Sequence, residues 1–136
     1  MDKIKIAICD DMNYICEYFS IVLKANEAFD VVGTANNREE VTALAKEKMP
    51  DVILLDLNFD KTNLGIEMIP ELKEINPQCK IIIITVHDQG NLILEAISKG
   101  ADNYLLKDLP VEELEKAIID TYKNKIGTFQ RLLYSI

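Results

Sequence analysis

Two periodicities alternate along this chain. Short runs of branched apolar residues are separated by stretches in which apolar positions recur every three or four residues. Residues 4–9 form the first run, which ends in Asp10-Asp11. Over residues 13–26 the spacing of Ile15, Phe19, Val22 and Leu23 predicts a helix, with Asn13 as its N-cap. Val31-Val32 reads as a short strand that ends at Gly33 or soon after. Residues 38–48 read as a helix with Val41, Leu44, Ala45 and Lys48 along one face, the Lys48 stem lying over the core rim. Residues 52–55 are uninterrupted apolar strand, halted by Asp56. A polar loop leads to Gly65 and a helix over 66–75, where Pro70 demands either a late start or a kink. Residues 81–84 form the next buried strand, and 91–99 a helix closed by Gly100. Residues 104–106 form the last strand. Pro110 then opens a helix with Glu112 and Glu113 in its first turn and Leu114, Ala117, Ile118 and Tyr122 on its apolar face.

Five strand–helix units in succession, with strands apolar on both sides, predict an α/β fold. Its core is a doubly wound (βα)5 five-stranded parallel sheet covered by helices on both faces, of the flavodoxin-like kind. The expected strand order is 2-1-3-4-5.

Composition narrows the choice. The chain has 136 residues, enough for one domain but short for two. Its formal net charge of −8 argues against binding a nucleic-acid backbone directly. Its apolar runs are strand-sized, too short to span a membrane, and Asp10 and Asp11 interrupt any leader-like start. Cys9, Cys16 and Cys79 are odd in number and lack metal-site spacing, so they read as buried hydrophobes of a cytoplasmic protein.

In a doubly wound sheet, ligands bind outside the carboxyl ends of the strands. Here those ends carry Asp10-Asp11, Asp56, Thr85 and Lys107. Each alone has an ordinary explanation as a turn residue, a loop cap or a solvated charge. Together, carboxylates that repel one another call for a cation, and oxygen ligands of this kind suit Mg²⁺. A carboxylate can act as nucleophile toward a phosphoryl group while a metal, an ammonium and a hydroxyl neutralise its oxygens. Magnesium-assisted phosphoryl transfer to Asp56 is the sharpest chemistry this set supports.

The same residues resemble the receiver domain of two-component response regulators. The resemblance rests on Asp10-Asp11, Asp56-Leu57-Asn58, Gly65-Ile66-Glu67, Ile84-Thr85, Gly100-Ala101-Asp102 and Tyr104-Leu105-Leu106-Lys107. It implies that Asp56 is the phosphoacceptor for a sensor histidine kinase, and that Asp10, Asp11, Asp56 and the Asn58 backbone carbonyl hold Mg²⁺. It also implies that Thr85 bonds the phosphoryl group, that Lys107 pairs with it, and that Thr85 and Tyr104 form a switch. The output surface, and a homodimer contact, would then be the face of the fourth helix, fifth strand and fifth helix. Leu-Leu-Lys-Asp at 105–108 resembles the LuxR-type subfamily, in which a DNA-binding domain follows the receiver. The expected division is a receiver over residues 1–124 and a C-terminal extension, linker start or dimerisation helix over 125–136. Departures from the family pattern are a longer loop over 58–64 carrying Asp60, Val86 after Thr85 where it narrows access, His87 near the site, and Asp108 in place of proline. The alternatives are a stand-alone receiver, a phosphorylation-independent pseudo-receiver and an aspartyl phosphatase; the last usually needs a second Asp where Asn58 stands.

Overall fold

A computed structural model of the chain describes residues 2–59, 64–86 and 90–123. The elements run β1 (Ile4–Cys9), α1 (Asn13–Lys24), β2 (Phe29–Ala35), α2 (Arg38–Lys48), β3 (Val52–Asp56), α3 (Leu64–Ile75), β4 (Lys80–Thr85), α4 (Gly90–Lys99), β5 (Asn103–Leu106) and α5 (Val111–Tyr122). The sheet is parallel throughout, in the order β2-β1-β3-β4-β5. This is the predicted doubly wound topology.

The strands are continuously apolar because each feeds two cores in alternation. Ala7, Cys9, Ile53, Leu55, Ile81 and Ile83 pack on one face with Val41 and Ala45 of α2, Ile66, Ile69 and Leu72 of α3, and Leu92 and Ala96 of α4. Ile6, Ile8, Val52, Leu54, Ile82 and Ile84 pack on the other with Phe19 and Leu23 of α1 and Leu114 and Ile118 of α5. The three cysteines are buried and free, as their apolar settings predict.

Several details differ from expectation. Asn13 is not the N-cap of α1. That position is Met12, whose side chain makes no capping bond, and the Met12 N–H is taken instead by Asp10 Oδ1 at 3.0 Å. The helix also stops at Lys24, because Asn26 turns the chain by accepting the Ala28 N–H at 2.8 Å. Strand β2 is longer than Val31-Val32 and contains Gly33. Its register slips where Ile6 faces Val31 but Ala7 faces Gly33, so one extra residue is absorbed as a bulge. Lys48 is exposed. Helix α3 runs on both sides of Pro70, which excludes a late start. Burial of Ile66, Ile69 and Leu72 offsets the cost of about 3 kcal/mol for an interior proline. On α5 the inward residue is Thr121, while Tyr122 is 40% exposed. Pro110 stands at the N-cap of that helix. The expectations for Asp60, His87 and residues 125–136 lie outside the described residues.

Candidate phosphoryl-acceptor site

Strand ends build the site. Beyond β1, the Asp10 N–H still bonds the Ala35 carbonyl at 3.1 Å, which carries the sheet one residue further and buries Asp10 to 3% exposure. Its carbonyl is held by Asn36 Nδ2 at 3.0 Å and by the Cys16 thiol at 3.5 Å. Asp56 is the last residue of β3 and is also buried. The peptide after it is anchored by the Leu57 N–H donating to the Ile84 carbonyl at 3.0 Å. Asn58 donates its N–H to Asp56 Oδ1 at 3.4 Å. Thr85 ends β4, fully buried, and its carbonyl accepts the Lys107 N–H at 2.8 Å. That bond ties the start of the loop after β5 to the end of β4.

Three carboxylates converge here. Asp10, Asp11 and Asp56 each offer an oxygen, and these oxygens lie within 4.8 Å of one another. Lys107 Nζ reaches into them, 2.6 Å from Asp10 Oδ2 and 3.3 Å from Asp56 Oδ1. Burial, and then the charge of Asp10, push the Asp56 carboxyl up to about 6, against the pull of Lys107 and the Asn58 N–H. Burial works against the Lys107 charge, but the Asp10 hydrogen bond and the charges of Asp56 and Asp10 outweigh it and hold its pKa above the ordinary value. One ammonium among three carboxylates leaves an excess of negative charge. Hard oxygen donors at this spacing fit a divalent ion such as Mg²⁺, so the residues present suit the metal.

Tyr104 is on β5, one strand beyond Thr85. It faces Ile83 across the β4–β5 ladder and is buried in the core shared with α4. Val86 is 61% exposed. The strand-end rule missed Asn36, because ending β2 near Gly33 hides the fact that the strand continues to Ala35 beside Asp10. It missed Cys16 for a different reason: only the packing of α1 brings the thiol under the Asp10 carbonyl.

A doubly wound sheet with this acidic rim fits a signalling domain, and comparison with known proteins gives the family. The chain belongs to the response regulator receiver domain family, which it matches over residues 6–119. Receiver domains of two-component systems are signalling domains rather than classical enzymes; they are phosphorylated by sensor histidine kinases and bind Mg²⁺ at an acidic pocket. The chain is 39% identical over 117 residues to the transcriptional regulatory protein YxjL of Bacillus subtilis (strain 168), covering 86% of this chain and 53% of that one. It is 31% identical over 132 residues to the oxygen regulatory protein NreC of Staphylococcus haemolyticus (strain JCSC1435), covering 97% of this chain and 61% of the relative. Among solved structures it resembles the signal receiver domain of the putative response regulator NarL from Mycobacterium tuberculosis. The TM-score is 0.84 at 26% identity, over 92% of this chain and 100% of that one. The chain therefore spans about half to three-fifths of the length of the curated relatives it matches. No described helix is long and apolar enough to cross a membrane.

Proposed function

We propose that Asp56 accepts a phosphoryl group from the phosphohistidine of a sensor histidine kinase. One observation carries this reading: Lys107 Nζ bridges Asp10 and Asp56 inside a cluster of three carboxylate oxygens within 4.8 Å. An Asp56 carboxylate oxygen attacks phosphorus, the P–N bond breaks, and the imidazole leaves, which forms an acyl phosphate. The Lys107 and Asn58 bonds fall on Oδ1, so Oδ2 is the oxygen assigned to the attack. Its pKa near 6 leaves Asp56 mostly ionised, and so nucleophilic, at neutral pH. Asp10, Asp11, Asp56 and the Asn58 carbonyl would hold Mg²⁺, which when bound neutralises charge on the phosphoryl oxygens. Lys107 pairs with the transferred group once the carboxylate is phosphorylated, and Thr85 supplies a hydroxyl from the neighbouring strand end.

Thr85 and Tyr104 then form the switch between the site and the face of α4, β5 and α5. Exposed Leu94 and Leu106 support that face as the output surface and homodimer contact. Phosphorylation biases an existing equilibrium between two arrangements of it. The name of one relative, a transcriptional regulatory protein, and the greater length of the relatives support a transcriptional regulator with the receiver as its regulatory half; by Leu-Leu-Lys-Asp at 105–108 we read it as a cytoplasmic one of the LuxR type. Incubation with Mg²⁺ and acetyl phosphate, read by intact-mass spectrometry, should add one phosphoryl group to the wild type and none to Asp56→Asn. An unmodified wild type would overturn the reading.

A further inference from the structure

We propose that Gly65 is a positioning residue of the metal and phosphoryl site, required because it has no side chain. The proposal rests on Asp56 being the acceptor. A Cβ built on Gly65 would stand 2.1 Å from the Asp56 carbonyl oxygen and 3.0 Å from that of Leu57, far inside van der Waals contact in the first case. Both obstacles are backbone atoms, so no rotamer change relieves them.

Both peptides are anchored through their N–H groups, so neither moves without disturbing a bond at the site. The peptide joining Asp56 to Leu57 points its oxygen at Gly65, while its N–H is fixed to the Ile84 carbonyl at 3.0 Å. The next peptide also points its oxygen at Gly65, while its N–H donates to Asp56 Oδ1 at 3.4 Å. Leu57 and Phe59 are fully buried beside Ile66 and Met68, which prevents the segment from sliding outward. The first turn of α3 thus presses two peptides against β4 and against the Asp56 carboxylate. Any side chain at 65 must displace the peptide joining Asp56 to Leu57 and, through its 3.0 Å approach to the Leu57 oxygen, push the peptide before Asn58 into rotation. That rotation weakens its bond to Oδ1 and shifts the Asn58 carbonyl, the one backbone group assigned to the metal.

The test is a Mg²⁺ titration of the whole chain followed by heteronuclear NMR, for the wild type, Gly65→Ala and Gly33→Ala. Gly33 is a control of the same chemistry: its added Cβ would meet Leu44 Cδ1 at 2.7 Å, the mobile end of a side chain remote from the site. Gly65→Ala should bind Mg²⁺ at least ~10-fold more weakly, the range typical of groups that orient metal ligands. Gly33→Ala should keep the wild-type affinity whatever stability it loses. A folded Gly65→Ala with wild-type affinity overturns the proposal. Should Gly65→Ala not fold, the wild type decides: its Gly65 resonances must move on titration with the same saturation as those of Asp56 and Asn58. A stationary Gly65 overturns the proposal. A wild type that binds Mg²⁺ but takes no phosphoryl group would instead count against the functional reading and leave the role of Gly65 at the metal to be judged by the titration.

Discussion

Asp56 and Lys107 show how little freedom single residues have in this site. A carboxyl pushed up to about 6 by burial and by Asp10 is more comfortable protonated in the folded protein than in the unfolded chain, where its ordinary value is 3.8. Its contribution to metal-free stability is therefore complete below about pH 4 and is lost as pH rises through about 6. Over that interval the wild type should lose on the order of 2–3 kcal/mol relative to Asp56→Asn, which cannot ionise. Urea unfolding in a chelator at several pH values measures the difference, and a constant gap between the two proteins would contradict it. The positions of these residues were legible in the sequence because each is the first polar group after an apolar strand. Lys107 bridging Asp10 to Asp56 was not, since a lysine's reach across strand ends depends on the sheet order and on the Thr85–Lys107 backbone bond. Gly65 stood in the sequence only as part of a motif. Its steric purpose appears once α3 is docked against the peptide after Asp56.

At the scale of elements, strands were easier to recognise than their ends. Runs such as residues 81–84 reveal themselves by being apolar on both faces, but β2 is only half-buried along its middle and carries Gly33 inside, so its bulge and its extension to Ala35 beside Asp10 went unseen. The placement of α5 depends on a polar pair rather than on its apolar stripe alone. Asn103 Nδ2 donates to Thr121 Oγ1 at 2.9 Å in a buried setting, and Asn103 Oδ1 accepts the Tyr104 N–H at 2.8 Å. The periodicity pointed to Tyr122 as the inward residue because a hydroxyl partner on β5 cannot be read from one helix. Thr121→Val keeps the shape but strands the Asn103 amide, which should cost about 1–3 kcal/mol in chemical denaturation. An unchanged midpoint would show that the pair does not fasten α5 to the sheet.

Across the whole molecule, part of the net charge of −8 is gathered at one rim, where Asp10, Asp11 and Asp56 face one another. That concentration is what a parallel sheet of order β2-β1-β3-β4-β5 achieves: β1 and β3 are neighbours, so residues 46 apart in sequence meet at the same end. Fold and rim are both properties of the alternating pattern, which is why they were readable from it. The partner surfaces were not, because nothing in an exposed residue such as Leu94 records what covers it. The central claim is a covalent one: Asp56 becomes an acyl phosphate. Borohydride reduces an acyl phosphate to an alcohol, so trapping after exposure to acetyl phosphate and Mg²⁺, followed by peptide mass spectrometry, locates the acceptor. Homoserine at position 56, formed with Mg²⁺ and not in a chelator, is the predicted result. Homoserine at position 10 or 11, or none at all, would contradict it.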